Sequence, residues 1–330
     1  MLGALAVLGA RSYLLQWAEK PLAIEHPVQL EVPKGQSLIA LANKLERQGL
    51  LHARAWVSYA RITGQTQIKA GEYAVAPGTS AAGLLQQLIE GEVVQYVAQI
   101  IEGWTYYQAL QHLHSLEFLE PRLAGLDWEA QSQLLGLHEP HPEGWFFPDT
   151  YHYQKGDSDV TVLRQAYAKQ QQILAELWAA RAPNLPYDSP YDALIMASIV
   201  EKETAIDAER EQIAGVFVRR LQKGMRLQTD PTVIYGLGER YAGNITRKHL
   251  AQHTPYNTYR INGLPPTPIA LPGRRSLYAS LHPDAGSSLY FVAKGDGYHQ
   301  FSDTLEQHNA AVKKYQYRRR AGYRSTPEAP

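Results

Sequence analysis

Apolar and polar positions change their period several times along the chain, and each change marks an element. Residues 28–32 alternate as a strand does and run into the turn Pro33-Lys34-Gly35. Ser37 then stands as an N-cap before Leu38, Leu41, Ala42 and Leu45, which recur at helical spacing until Gly49. A second helix is predicted over residues 54–62 and closed by Gly64; residues 68–75 read as a strand, with Pro77-Gly78 as the turn after it. Ser80 opens a further helix through Leu84, Leu85, Leu88 and Ile89, stopped at Gly91. The strand, helix, helix, strand order predicts a small self-contained βααβ module over residues 28–95.

Beyond it the apolar run 93–101 predicts a strand, and Glu102-Gly103-Trp104-Thr105 leads into a helix carrying Tyr106, Leu110 and Leu113. Residues 133–153 are loop-rich, and their HEPHPEGWFFPDTY segment either lines a site or acts as an aromatic plug between domains. Helices are predicted over 160–180, 191–205 and 208–223, the last opened by Asp207 and ended by Gly224. An apolar strand is predicted after Thr232, a hairpin over 290–301 around Gly295-Asp296-Gly297, and a basic, flexible tail over 318–330. At the start, residues 2–18 are apolar apart from Arg11, Ser12 and Gln16. A span wants about 20 apolar residues, so residues 1–20 are expected to be a transmembrane anchor, incomplete at its beginning, or a helix lying on a surface. The whole predicts an α+β protein: an N-terminal anchor helix, the module at 28–95, a mixed α+β domain over 96–317 and the tail.

Composition narrows the chemistry. A length of 330 residues suits two or three folded units. The 32 basic residues balance 32 acidic ones, so the chain lacks the electrostatic footprint of a nucleic-acid binder. With no cysteine, disulfides, thiolate metal sites and a cysteine nucleophile are excluded. None of the 12 histidines falls in H-E-x-x-H, no phosphate-binding or dinucleotide glycine motif is complete, and no G-x-S-x-G elbow occurs. Neither a metal nor a cofactor is expected.

The sharpest clue sits in YDALIMASIVEKET. On a helical wheel centred on Met196, Ala193, Ile199 and Val200 lie within about 60° and Glu203 about 20° away, whereas Glu201 lies about 140° round, where it can reach solvent. A carboxylate on an apolar stripe is desolvated, its pKa rises, and it stays protonated near neutrality as a general acid requires. The competing reading is a buried structural pair with Arg219, Arg220 or Arg226. Downstream, Gln228, Thr229, Asp230 and Thr232 gather hydrogen-bonding side chains, unless Asp-Pro-Thr is only a turn. Five prolines from Pro255 to Pro272 stiffen a segment carrying Tyr256, Asn257 and Tyr259. The chain's 21 Tyr and 6 Trp offer faces for stacking sugars, although they also serve as packing.

Four segments carry a resemblance in order along the chain: EGWFFPDTY at 143–151, ASIVEKETA at 197–205, FVRRLQKGMRLQTDPTVIYGLG at 217–238 and TPYNTYRINGLPPTPIALPG at 254–273. Together they resemble the endolytic murein transglycosylases, the MltG/YceG-like family. The resemblance implies a membrane-anchored enzyme of the cell inner membrane with a LysM-like module. Its periplasmic catalytic domain would cut nascent peptidoglycan between N-acetylmuramic acid and N-acetylglucosamine. The block at 197–205 would carry the catalytic glutamate, which the wheel assigns to Glu203 with Glu201 as the fallback. Gln228, Asp230, Asn257 and Tyr259 would contact substrate, as would Glu143 and Tyr151. Penicillin-binding proteins would be the partner synthases. Two other functions remain open: a glycoside hydrolase using Glu203 with Asp230, and a non-catalytic peptidoglycan-binding scaffold.

Overall fold

Strand β1 (Val28–Val32) pairs antiparallel with β2 (Gly71–Val75), Leu30 opposite Tyr73. The computed structural model describes residues 2–317, with side chains from residue 8 onward. This pair anchors the smaller of two compact units, which takes in the described residues up to 97 together with 117–120 and 152–157. Its helices are α1 (Leu2–Ala18), α2 (Leu38–Arg47), α3 (Ala53–Ile62) and α4 (Ala81–Glu90). The caps are those the sequence announces: Ser37 accepts from the Ala40 amide at 3.2 Å and Ser80 from the Gly83 amide at 3.0 Å. Trp56, wholly buried, donates its indole N–H to the Ala81 carbonyl at 2.7 Å and packs among Leu41, Leu45, Leu84, Leu85 and Leu88. The βααβ order expected over 28–95 is therefore present, with α4 following it.

The expected membrane span is not found among the described residues. Helix α1 has 17 residues, and no helix among the described residues is long and apolar enough to cross a membrane. Its final turn packs on the small unit instead, with Trp17 against the core and Ala18 fully buried, while Leu8 and Tyr13 are exposed.

Strands β3 (Tyr96–Gln99) and β4 (Thr150–Tyr153) form a second two-stranded sheet, and between them run α5 (Tyr106–Ser115) and α6 (Trp128–Leu135). The larger unit continues through α7 (Asp159–Ala179), α8 (Pro190–Glu203), α9 (Asp207–Gln222), α10 (Asp230–Leu237), α11 (Arg247–Ala251) and α12 (Arg274–Leu281). It ends with the hairpin β5 (Tyr290–Ala293) and β6 (His299–Ser302), Phe291 opposite Phe301, and then α13 (Leu305–Val312). The tail expected over 318–330 lies outside the described residues.

Helix α8 forms the centre of this unit. Every residue from Ala193 to Val200 is buried, and α7, α9, α10 and α12 pack around it. Over residues 193–200 a helix enclosed by four others has no polar side. Ser198, about 160° round the helix from Met196, is fully buried, donating to the Ile195 carbonyl at 2.7 Å and accepting from the Ile269 amide at 2.9 Å. The strand expected after Thr232 is helix α10: the apolar run is too short to choose by period, and Pro231 in the first turn favours a helix start. The aromatic loop before β4 is a plug inside the larger unit. Trp145 stacks on Tyr191 at 5.5 Å and Phe146 on Tyr106 at 5.1 Å, and both inserted rings are buried.

Candidate active site

Ser189 and Asp192 close a capping box at the start of α8, with Pro190 in the first turn, so this helix has a firm beginning. Glu203 is its last residue, and Thr204 after it is already extended. The carboxyl group thus stands at the negative end of the helix dipole, where a second negative charge is disfavoured. It lines a cleft of about 580 Å3 together with Arg220, Gln228, Thr229, Asp230 and Tyr259 and, from the hairpin and α13, Tyr290, His299 and His308.

Burial pushes Glu203 up to about 7, and the nearby Asp230 charge adds to the rise. A hydrogen bond donated by the Thr229 hydroxyl and the positive charge of Arg220 pull the other way. The structural pairing considered from the sequence is not formed. Arg219 is held by Asp284 at 3.2 Å, Arg226 donates to the Tyr259 carbonyl, and Arg220 donates only to backbone carbonyls.

Thr229 is fixed by a knot of three buried threonines. Its amide donates to the Thr258 hydroxyl at 3.0 Å, its carbonyl accepts from the Thr232 hydroxyl at 2.9 Å, and Thr232 and Thr258 share a further bond at 2.9 Å. Gln228, immediately before, takes a positive φ of 50°, a backbone state rare for a residue with a side chain, and its amide is held by the Thr258 carbonyl at 3.2 Å. Local strain of this kind persists only where surrounding contacts enforce it. Close packing keeps α10 against the same loop, since a Cβ added at Gly236 would meet Tyr256 at 2.8 Å.

The proposed contacts divide into two groups. Gln228, Asp230 and Tyr259 meet in the cleft with Glu203, and the Tyr259 hydroxyl donates to Asp230 at 2.7 Å. Asn257, Glu143 and Tyr151 do not line it. Asn257 is 1% exposed and spends its amide N–H groups on the carbonyls of His249, Leu250 and Gln252, holding the loop that carries Thr258 and Tyr259. Glu143, 3% exposed, accepts from the Tyr106 amide at 2.8 Å and the Tyr235 hydroxyl at 3.1 Å, and burial pushes it up to about 7 as well. Tyr151 donates to the Phe147 carbonyl at 2.6 Å. Glu201, expected to reach solvent, is buried: it pairs with Arg210 at 3.0 Å and accepts from the Gly273 amide at 2.9 Å. That leaves Glu203 as the carboxyl group of this motif that opens onto the cleft.

Sequence reasoning named Arg220 only as a structural partner for Glu203 and missed the rest of its wall, Tyr290, His299 and His308. His299 is held twice by Glu209, through its amide at 2.9 Å and through Nδ1 at 2.7 Å. Nothing local announces these groups, because α9 and the hairpin are distant in sequence. Thr258 had a signal, lying between Asn257 and Tyr259 in the stiff proline-rich segment.

The model of the YceG-like family matches residues 30–314. A protein of Bacillus subtilis strain 168 named endolytic murein transglycosylase is 32% identical over 306 residues, covering 87% of this chain and 84% of its own. A Streptococcus pneumoniae D39 protein of the same name is 28% identical over 320 residues, and this chain spans 58% of its length. A crystal structure of a yceG-like protein from Listeria monocytogenes, 30% identical, superposes with a TM-score of 0.53 over 87% of this chain and 99% of that one. With a match running from β1 to the end of α13, the chain belongs to the YceG-like family.

Proposed function

We propose that this protein is an endolytic murein transglycosylase that cleaves the bond between N-acetylmuramic acid and N-acetylglucosamine in nascent glycan strands, and so ends their elongation. The observation that carries this reading is Glu203: a carboxyl group that burial pushes up to about 7, opening onto a cleft of about 580 Å3 lined by Tyr259, Tyr290 and His308. The names of the relatives support the same activity.

Glu203 protonates the departing glycosidic oxygen, and the carboxylate it leaves can accept the proton of the muramic 6-hydroxyl as that oxygen attacks the anomeric carbon. Attack from within the same sugar needs no separately fixed water. The product is a 1,6-anhydro-muramic end, and the enzyme is a carbon–oxygen lyase. Gln228, Asp230 and Tyr259 contact the glycan. The small unit acts as a LysM-like binding module. The enzyme works at the outer, periplasmic face of the inner membrane, beside the penicillin-binding synthases that extrude new strands, with the exposed apolar side chains of α1 turned to lipid.

Asp230 favours a second reading. It stands in the same cleft, and a glycoside hydrolase uses two carboxylates, one as acid and one as base or nucleophile. Digestion of purified glycan strands in heavy-oxygen water, read by mass spectrometry, separates the two. Unlabelled ends lighter by one water are expected; label in the new muramic ends would establish hydrolysis instead.

A further inference from the structure

The guanidinium of Arg220 is a buried charge that makes no salt bridge among the described residues, although the nearby Glu203 feels its charge. The residue is 8% exposed. Its Nε donates to the Leu289 carbonyl at 2.7 Å, and its Nη1 donates to the Leu227 carbonyl at 2.7 Å and the Arg226 carbonyl at 3.4 Å. Tyr290 lies beneath the group, 5.1 Å from its centre. Nη2 donates to no protein acceptor, yet it is not among the atoms sealed from solvent, and Arg220 lines the Glu203 cleft. The neighbouring Arg219, in contrast, is closed by Asp284 and two carbonyls.

Taking a cation out of water is costly unless something compensates it, and carbonyls with a ring face compensate only in part. A guanidinium held at Nε and Nη1, with Nη2 unbonded and accessible in a residue that lines the cleft, is prepared for a planar anion. The cleft's own anion, Asp230, is engaged by the Tyr259 hydroxyl and would repel a second carboxylate on its side. The open position for a ligand anion is therefore at the Arg220 end.

We infer that Arg220 receives a carboxylate of the substrate at Nη2, so that the cleft selects acidic muramic-acid strands over neutral N-acetylglucosamine polymers. This rests on the transglycosylase reading above and names the feature of the glycan that the site reads. The carboxylate has two possible sources, the lactyl group of a peptide-free strand or the stem peptide of a substituted one.

Binding is measured on the full chain carrying Glu203→Gln, with peptide-free strands, peptide-bearing strands, and both after conversion of their carboxylates to amides. Arg220→Gln should weaken binding to a carboxylate-bearing strand by about 10- to 100-fold and leave the amidated forms unchanged. Loss on the peptide-free strand assigns the lactyl group, and loss confined to the peptide-bearing strand assigns the stem. Equal weakening on acidic and amidated strands would mean a purely structural role and overturn the inference. Should Arg220→Gln fail to fold, Arg220→Lys and the Arg220-bearing protein decide: equal binding of acidic and amidated strands by the latter also overturns it. Failure of the wild-type protein to cleave any strand would sink the proposed function itself, whereas equal cleavage of acidic and amidated strands would sink only the role of Arg220.

Discussion

Two carboxyl groups, Glu203 and Glu143, are pushed up to about 7 chiefly by burial, and they have different consequences. Glu203 must be protonated to act as an acid, so turnover should fall as pH rises through about 7. Glu203→Gln should lower turnover by about 10²–10⁴-fold while leaving the melting temperature at or above that of the wild type. Thr229→Val removes the hydrogen bond that lowers the Glu203 pKa, so the alkaline limb of the rate profile should move to higher pH; an unmoved limb would count against Glu203 as the titrating acid. For stability the sign follows from linkage. Both groups hold their protons more tightly folded than unfolded, where a glutamate titrates at about 4.3. Their contribution is complete below that value and is lost as pH rises through about 7. Melting scans across this range should therefore show a decline that Glu143→Gln flattens.

At the level of elements, the end of α8 is held by a group that an isolated wheel turns the wrong way. Glu201 ties α8 to α9 through Arg210 and to the backbone before α12 through Gly273, with the side chains of the ion pair 5% and 7% exposed. Removing one partner of a buried pair is destabilising, although Arg210 keeps Asp207 at 3.1 Å and Ser276 as partners. Glu201→Gln should thus cost about 1–3 kcal/mol of stability, with near-normal turnover in the protein that stays folded. Calorimetry and assay together check this: the pattern is the reverse of that for Glu203→Gln, and a variant as stable as wild type would refute it. Periodicity and caps made most elements legible, including the boundaries of α2 and α4; α9 begins close to where expected, but Asp207 is its first helical residue and Ile206, which offers no capping side chain, holds the cap position. Helix α6 escaped although Asp127 and Gly136 cap it, and α12 escaped because Gly273 offers no capping side chain and the segment follows a proline-rich loop.

For the whole molecule, the smaller unit carries its own core and its own sheet, while Glu203 and its cleft lie entirely in the larger one. Deleting residues 28–91 should therefore weaken binding to insoluble peptidoglycan and leave residual cleavage of soluble strands. A well-folded deletion with no turnover would show that the module is needed for chemistry. The deletion is kept short of Tyr96, which packs on Phe118 at 5.0 Å and Tyr153 at 5.6 Å. The sequence by itself determined the βααβ module, the helical run that carries Glu203 and the family, because caps, periods and contiguous motifs are written within a few residues of one another; the helix expected to reach residue 205 stops at Glu203. Only the tertiary structure decided that Glu201 is paired, that Asn257 holds backbone while Tyr259 faces the cleft, and that Arg220 keeps a free nitrogen there. Several of those outcomes depend on segments far apart in the chain, such as Gly273 against Glu201 and Leu289 against Arg220, 72 and 69 positions apart. A carboxylate's environment is set by what packs around it, and a helical wheel contains no neighbours.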